Sequence, residues 1–431
     1  MHPSRTETPT ARRQRGLAAL PVTLLLFFAM LLAAAYANRG LVFEQRASAN
    51  QYRAAQAFEA AEAGLEWAIA QLNHPQRIDE RCLPSSTATD PSFRERFVRI
   101  DHVTGQQAPV TWMSGGTPVA LQPACVLGAE GWACSCPAAG HPMLDVIESD
   151  DGTPRPAYSV QFDTEAGSGL IRVTSTGCTS AAGPCRPGAT GRPDASVRLQ
   201  VVLGLLPGLS SPPAAPLTTR GSVDAGAAAL GLHHTDAASG GITAHTGGSL
   251  IGLALRLTTA PGAAAAVSAS THDAALASIA PERLFATHFG LDKATWNGHA
   301  AVQAVACDAE CGVALAAAID SVSSNRLISI GSDARIEGPV TLGSPDRPVV
   351  IVVDGSITLT GDVTLHGLLY ASAVRWDDAG PPRGRVHGAV ISESGYGGSA
   401  APDLIHDATL LRSLQRQTGS YARVPGSWRD F

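Results

Sequence analysis

The sequence has very little of the side chains that mark common binding surfaces. Aromatic residues make up only 5% of the 431 residues, so a long platform of rings for stacking sugars is not expected. Lys293 is the only lysine, and the formal net charge is −6. Without a basic stripe the chain lacks the electrostatic footprint of a dedicated nucleic-acid surface. The nearest approach to one, Arg94, Arg96 and Arg99, is interpreted as a solvated face.

Sequence motifs that carry enzyme chemistry are also missing. The chain has no Gly-x-Ser-x-Gly elbow, no His-Glu-x-x-His helix, no phosphate-binding glycine loop and no dinucleotide fingerprint. His233, His234 and His245 lie in a glycine- and alanine-rich stretch and are interpreted as exposed loop histidines rather than metal ligands. The sequence therefore predicts no enzyme, with no catalytic residue, no metal and no cofactor.

One acidic group keeps an enzymatic alternative open. Asp377 and Asp378 are adjacent, and paired carboxylates serve as acid and base in glycan hydrolysis. The other members of such a groove would be Asp354 and either His366 or His387. Because the acidic pair precedes a Gly-Pro-Pro turn, a solvated loop is the favoured interpretation.

A charge-free run from Leu17 to Ala37 is the most informative feature that is present. As a helix it would be about 31 Å long, the thickness of the hydrocarbon core of a bilayer. Four arginines precede it within residues 1–16, and no small-residue cleavage site of the secretory kind follows it. We therefore expect one membrane span, with the N-terminus in the cytoplasm and everything after Asn38 exported.

Cysteine usage agrees with export. Zinc knuckles need paired Cys-x-x-Cys spacing, which does not occur here. An even number of cysteines in an oxidising compartment indicates disulfide bonds instead. The eight candidates are Cys82, Cys125, Cys134, Cys136, Cys178, Cys185, Cys307 and Cys311.

The spacing of these cysteines favours two local bridges. Cys178 is expected to pair with Cys185, and Cys307 with Cys311. The other four would then pair among themselves. Because the two cysteines that flank Ser135 are too close to bridge each other without strain, each is expected to reach one of the two earlier cysteines.

The exported part begins with a helix and a small head. Residues 38–73 form an alanine-rich, amphipathic continuation of the apolar run, which should end before Pro75. Residues 74–206 are predicted to be an α+β head, in which alternating residues at 157–162, 170–174 and 197–202 form an antiparallel sheet covered by the helix. The topology of residues 74–155 stays open.

A second region follows a proline-rich linker at 207–216. In residues 217–431 a Gly-x-Val core recurs at Gly338, Gly361 and Gly388, at intervals of 23 and 27 residues. Such intervals are typical of stacked β-rungs, so a β-solenoid or β-helix is predicted, with a β-sandwich as the alternative. Residues 251–325 read as a helical insert, and a last helix capped near Asp403 should cover the open end of the solenoid.

Two parts of the sequence resemble the PilX-type minor pilins of type IV pilus machinery. The first resemblance is carried by Gln14-Arg15-Gly16 before the apolar run and by FEAAEAGLE at 58–66. The second is carried by PVVIVVDGSITLTGDVTLHGLLYAS at 348–372 and by the tail VPGSWRDF at 424–431. The resemblance implies a long pilin-like helix on a small antiparallel head, followed here by the solenoid-like domain.

The resemblance also implies processing and partners. Residues 1–16 would be a class III leader that a prepilin peptidase cuts after Gly16 before methylating the new terminal Leu17. Other minor pilins, the pilus assembly platform and the inner membrane before assembly are the further partners implied, with a tip adhesin as an additional candidate. The protein would sit in the bacterial inner membrane with its head in the periplasm, and later at the pilus tip on the cell surface.

Pro21 departs from the family pattern. Major pilins carry a glutamate as the fifth residue after the cut, and Pro21 stands at that position here. Because a buried carboxylate needs a partner, a subunit with nothing above it gains nothing from that glutamate. The departure agrees with a role in assembly initiation or at the tip, including adhesion. A GspK-like type II secretion pseudopilin and a membrane-anchored β-helical protein that binds or cleaves carbohydrate are the open alternatives.

Overall fold

The computed structural model describes residues 19–144, 155–167, 169–307, 310–378, 380 and 383–431. Contacts divide the chain into two compact units, Met1–Gln56 and Ala57–Phe431.

In the described residues, helices α1 to α7 are Ala19–Asn73, Phe93–Phe97, Ala274–Ser278, Pro281–Phe289, Lys293–Asn297, Gly312–Ser321 and Ala408–Gln417. Strands β1 to β9 are Val98–Ile100, Gln107–Pro109, Thr111–Ser114, Thr117–Ala120, Ala124–Gly128, Gly131–Ser135, Ala157–Thr164, Leu170–Cys178 and Ser196–Pro207. Strands β10 to β25 are Leu217–Thr219, Val223–Asp224, Gly231–His234, Ala244–Thr246, Leu250–Ile251, Arg256–Thr259, Ala269–Ser270, Val302–Ala304, Leu327–Ile330, Ala334–Glu337, Val340–Leu342, Val349–Thr360, Val363–Asp377, Arg385–Ser392, Tyr396–Gly397 and Asp403–Ile405. Strands β26 and β27 are Gly419–Arg423 and Arg429–Asp430.

Helix α1 continues without interruption to Asn73 and contributes residues to both units. The predicted end of the helix is confirmed, because Pro75 disfavours helical geometry in the residue before it. Pro21 lies within the described helix. The helix also passes through Gly40, so neither residue breaks it.

An antiparallel sheet with the strand order β26-β9-β8-β7-β5-β6 forms the head. The three predicted strands are confirmed as β7, β8 and β9, and each extends further than its alternating pattern. The second half of α1 covers one face, where its Leu65 and Leu72 share a core with Tyr158 and Phe162. The α+β class expected from the sequence is the class observed.

Residues 74–144, whose topology the sequence left open, contain α2 and the strands β1 to β6. Strands β5 and β6 extend the main head sheet, whereas β1–β2 and β3–β4 form two separate two-stranded sheets. Helix α2 begins with a capping box in which Ser92 and Glu95 bond each other's backbone amides. That Ser-x-x-Glu signature is visible in the sequence and could have located the helix.

Residues 217–405 contain a three-sided parallel β-solenoid, the architecture predicted for this region. Every pairing between its strands is parallel, which excludes the β-sandwich alternative. Aliphatic side chains align from rung to rung on the inner side, so that each rung buries its apolar face on the next. One such ladder is Leu342, Leu365, Val386, Leu404, Leu232 and Leu257.

The Gly-x-Val repeat marks only one of the rung intervals. Val340 pairs with Val363 at the predicted spacing. Gly388 lies opposite Gly367 rather than Gly361. The interval of 27 residues predicted between these two rungs is therefore wrong, because the chain completes that rung in fewer residues. Gly367 and Gly388 stack at a narrow point, where a Cβ on Gly388 would lie 1.9 Å from the carbonyl oxygen of Gly367.

The rungs of the solenoid do not follow chain order. The first strand, β10, pairs with β23 near the end of the domain. From there the chain winds outward to β16, crosses back through α3 to α5, and winds inward again from β17 to β25. The predicted helical insert at 251–325 is thus partly strand, since it includes β15, β16 and β17 as well as α3 to α6.

Two helices cover the solenoid differently from the prediction. Asp403 lies in β25, and the last helix begins after Asp407, whose carboxylate caps it. Leu411 of this helix packs against Leu368 on the outer side of the rungs, so α7 does not close the end. Helix α6 packs Leu315 into the interior core beside the terminal strands β19 and β20. The predicted start and position of the last helix are therefore wrong.

The solenoid is an insertion in the head sheet. Pro207 at the end of β9 pairs with Gly419 at the start of β26, so the chain leaves the head and returns to it at neighbouring positions. The linker predicted at 207–216 is packed, with Leu209 and Ala215 fully buried. The tail strands β26 and β27, assigned from the sequence to 217–431, pair with β9 and belong to the head.

Four disulfide bonds use all eight cysteines. They include both local pairs that the spacing favoured, and the remaining four cysteines pair among themselves. The bonds are Cys82–Cys136, Cys125–Cys134, Cys178–Cys185 and Cys307–Cys311.

Removal of the Cys82–Cys136 bond is expected to lower stability more than removal of the Cys307–Cys311 bond. The first closes a sequence separation of 54 residues and the second only 4. Because a longer closed loop restricts the unfolded chain more, the free energy of unfolding should fall by about 4 kcal/mol without the first bond and by about 2 kcal/mol without the second. Urea unfolding of the two double alanine variants in neutral detergent tests this order, and the reverse order would contradict it.

Candidate functional site: the N-terminal helix and its seat on the head

The first half of α1 is an exposed apolar surface. Leu25 and Phe27 are 69% and 62% exposed, and every described residue up to Ala55 is exposed. Among the described residues α1 is the one helix long and apolar enough to cross a membrane. The helix is therefore suited to serve as a single membrane anchor.

The residues proposed for processing stand just before this surface. Gly16 and Leu17 lie outside the described residues. Pro21 is described, and the next polar side chain, Thr23, donates a hydrogen bond of 2.9 Å from Oγ1 to the carbonyl of Leu20. The first turn of the described helix contains no acidic residue. The position at which a glutamate would stand in a major pilin is therefore apolar here.

The second half of α1 lies on the head through very small side chains, and we call residues 57–73 with the sheet face beneath them the seat. Ala57 and Ala61 are fully buried. A Cβ on Gly177 of β8 would lie 2.2 Å from both the Ala57 oxygen and the Ala61 nitrogen. On the helix side, a Cβ on Gly64 would lie 2.6 Å from the Tyr158 ring. The close approach of helix and sheet depends on glycine at both positions.

The C-terminal end of α1 is fixed to the tail strand β26. Asn73 donates from Nδ2 to the Tyr421 carbonyl at 3.0 Å and accepts the Tyr421 amide at Oδ1 at 2.6 Å. The Tyr421 hydroxyl donates to Gln107 at 2.8 Å, and burial raises the pKa of Tyr421 to about 12. The sequence placed Asn73 correctly as the last helical residue, but no local signal pointed to a partner almost 350 residues away.

Arg94 and Arg96 are buried, so their predicted role as a solvated face is wrong; only Arg99 of the three is exposed. Arg94 donates to the carbonyls of Leu72 and Gly419 at 3.1 and 2.8 Å. Arg96 donates to the carbonyls of Ile78 and Cys136 at 2.7 and 2.8 Å. Burial lowers the pKa of both guanidinium groups. These arginines satisfy buried carbonyl groups, a use that charge patterning cannot reveal.

Asp377 and Asp378 do not have the environment of a glycosidase pair. Asp377 accepts a hydrogen bond of 2.8 Å from Arg375 Nε, which holds the pKa of that carboxyl below its usual value. A general acid for glycan hydrolysis needs a raised pKa. Asp378 accepts the amide of Gly380 at 2.8 Å within an exposed turn, as the loop interpretation predicts.

The other members of the imagined acidic groove lie elsewhere on the solenoid. Asp354 accepts a hydrogen bond from Asn297 at 3.2 Å and lies 3.9 Å from Lys293, the only lysine. Asp377 pairs with Thr360 at the far end of β21. His366 and His387 stack on each other, with ring centres 4.8 Å apart. The structure therefore does not join these residues into one site.

The three histidines singled out in the glycine-rich stretch are strand residues, so their assignment to an exposed loop is wrong. His234 is fully buried and bonds the Ile242 carbonyl and the Ser239 hydroxyl, each at 2.8 Å. His233 and His245 lie in β12 and β13. The small residues around them fit narrow rungs rather than a loop. Among the described residues no group of three or more metal-ligating side chains occurs.

Residues 15–66 match the family model described as PilX N-terminal. This stretch is a PilX segment. Its described part comprises the exposed apolar half of α1 and the first part of the seat, up to Glu66, and this N-terminal region is similar to that of PilX-type minor pilins.

The comparisons with solved structures and with curated proteins add little to the match with the PilX family model. The competence-associated pilin ComZ from Thermus thermophilus is similar over 88% of this chain and 97% of that chain, at 12% identity and a TM-score of 0.22. That TM-score is too low to establish a shared fold. No curated protein matches the chain.

Proposed function

We propose that this protein is a structural, non-enzymatic minor pilin of a bacterial type IV pilus that acts in assembly initiation or at the filament tip. The observation that carries the proposal is the PilX segment. The helix that contains it exposes an apolar surface at 19–43, and its second half packs on the head sheet of the same chain. The exposed half suits the hydrocarbon of a bilayer and, after assembly, a bundle of equally apolar helices.

Processing follows from the same segment. The prepilin peptidase would cut after Gly16 and methylate Leu17, which leaves Pro21 as the fifth residue of the mature chain. The four arginines before the apolar run keep the leader in the cytoplasm. The head then folds in the periplasm, an oxidising compartment in which its disulfide bonds persist. The assembly platform and other minor pilins are the proposed partners.

The inserted solenoid supports the tip or initiation role. Residues 208–418 leave and re-enter the head between paired residues Pro207 and Gly419, so the PilX segment and the head sheet are kept while a large domain is added. A domain of that size suits a subunit of low copy number better than one repeated along a shaft. Adhesion through the solenoid is a further part of this proposal.

Excision of the solenoid tests the proposal. Residues 209–417 would be replaced by a short glycine-rich turn, and the same turn would be inserted between Gly115 and Gly116 in the control, where nothing lies near either glycine. We expect both variants to enter the membrane and to form the Cys82–Cys136 bond. Only cells with the excised protein should lose most of their surface pili or their adhesion. Normal piliation and adhesion in the excised protein would contradict the proposal, and lost secretion with normal pili would favour the pseudopilin alternative.

A further inference from the structure

A cavity of 390 Å³ lies between the head and the solenoid. Its walls come from α2 and β1 on the head, from the chain around Asn325 and Pro348, and from α7. The volume falls in the range of about 300–1,000 Å³ that is usual for small-molecule sites. Buried apolar residues such as Val98 and Leu414 line it, and the exposed Arg99 and Arg347 stand at its rim. Val98 belongs to the apolar core of the head, against which Ile100 and Val110 of the lining also pack, and Leu414 belongs to the core beneath α7.

The lining of this cavity carries an excess of positive charge. Arg326 is 7% exposed, and its guanidinium donates to the main-chain carbonyls of Val322 and Ser323. Arg347 donates to the same Ser323 carbonyl at 3.4 Å. In the described part of the chain neither arginine forms an ion pair with a carboxylate. The charged lining residues are Arg94, Arg99, Arg326, Arg347, Glu95 and Asp346.

Two guanidinium groups that converge on one carbonyl oxygen repel each other. Burial, and then the charge of Arg347, lowers the pKa of Arg326 to about 10. Glu95 and Asp320 offset only part of this effect, and an anion bound between the two guanidinium groups would offset more of it. The two guanidinium groups therefore favour a bound anion in this cavity.

Asn325 lines the same cavity with a buried side-chain amide. It is 4% exposed, and its Oδ1 accepts hydrogen bonds from Arg94 at 2.8 Å and from the Gly419 amide at 2.9 Å. Those two donors fix the amide orientation. Its Nδ2 is buried and has no acceptor among the described residues. A buried donor that lacks an acceptor costs free energy that a ligand oxygen can restore.

We propose that this cavity binds the carboxylate of a ligand that also carries a hydrocarbon group. The guanidinium groups of Arg326 and Arg347 match the planar carboxylate, and Asn325 supplies a third donor. The half-buried Ile100 and Val110 provide an apolar wall for the hydrocarbon part, backed by the buried Val98 and Pro348. Inorganic anions would leave that wall unused. The ligand is either a free organic acid or the carboxylate of a polypeptide, and the proposal does not depend on the pilin function.

The test is a ligand-observed NMR titration of the full-length protein in neutral detergent. The probes are isovalerate, its neutral amide, inorganic phosphate, and a short neutral peptide with either a free or an amidated C-terminus. We expect saturable binding of isovalerate and of the peptide acid, with much weaker binding of the two amides and of phosphate. Tighter binding of the peptide acid than of isovalerate would assign the ligand to a polypeptide, and equal binding to a small organic acid.

Three variants separate a ligand role from a structural one. Arg347→Gln changes an exposed rim residue and should weaken isovalerate binding about tenfold or more. Asn325→Asp keeps both acceptor bonds to Arg94 and Gly419 but replaces the unpaired donor by a carboxylate, so it should abolish binding without lowering the unfolding midpoint. Arg385→Gln, an exposed arginine outside the cavity, should bind as the native protein does. Equal binding of acid and amide or of acid and phosphate, no binding of any probe by the folded protein, or native binding by the first two variants would overturn the proposal.

Discussion

Alanine at position 177 is expected to lift the N-terminal helix from the head sheet. The added Cβ would lie 2.2 Å from the Ala57 oxygen and the Ala61 nitrogen, and both atoms belong to helix backbone that cannot rotate away. Overpacking usually costs about 1–3 kcal/mol, and we expect a loss of about 3 kcal/mol here in the free energy of unfolding. The measurement is urea unfolding of the full-length Gly177→Ala variant in neutral detergent.

The matched control for that prediction is Gly204→Ala on the neighbouring strand β9. A Cβ there would meet only the side chains of Leu170 and Val424, both at 3.6 Å, which is an ordinary contact. We expect its urea midpoint to stay close to that of the native protein. Equal midpoints for the two variants would contradict the account of the seat.

The second large effect is expected from Arg94→Met. Methionine retains much of the apolar stem but leaves the carbonyls of Leu72, Gln417 and Gly419 and the Asn325 side chain without their shared donor. Each buried acceptor that is left without a donor costs about 1–3 kcal/mol. We expect a urea midpoint far below native and faster proteolysis of the tail strands, because Arg94 joins the end of α1, the solenoid and β26.

Arg99→Met provides the comparison for Arg94. This residue lies five positions later in the same segment and is exposed, so the same change should alter the free energy of unfolding by no more than about 0.5 kcal/mol. If Arg99→Met and Arg94→Met are equally stable, the buried arginine does not hold these elements together.

Local patterns in the sequence predicted the elements whose causes are local. The apolar run and Pro75 set the extent of α1, and alternating residues located β7, β8 and β9. The spacing of Gly338 and Gly361 revealed stacked rungs, because adjacent rungs repeat the same inward residues. The Ser92–Glu95 capping box was an equally local signal that went unused.

Features that depend on distant pairing could not be predicted in this way. Nothing near Gly419 indicates that its strand pairs with Pro207 rather than with a rung. No local pattern marks Gly177, whose lack of a side chain matters for a contact with Ala61 of the distant helix. Arg94 looked like a surface charge because its acceptors come from three separate segments of the chain.

The N-terminus of the mature protein tests the central claim most directly. Intact mass and peptide sequencing would compare the protein from cells with and without prepilin peptidase. The account predicts a chain that starts at N-methylated Leu17 only when the peptidase is present. An uncut Met1 terminus in both cells would contradict entry into a pilus, and would leave a single-pass anchored protein whose solenoid has to account for its function alone.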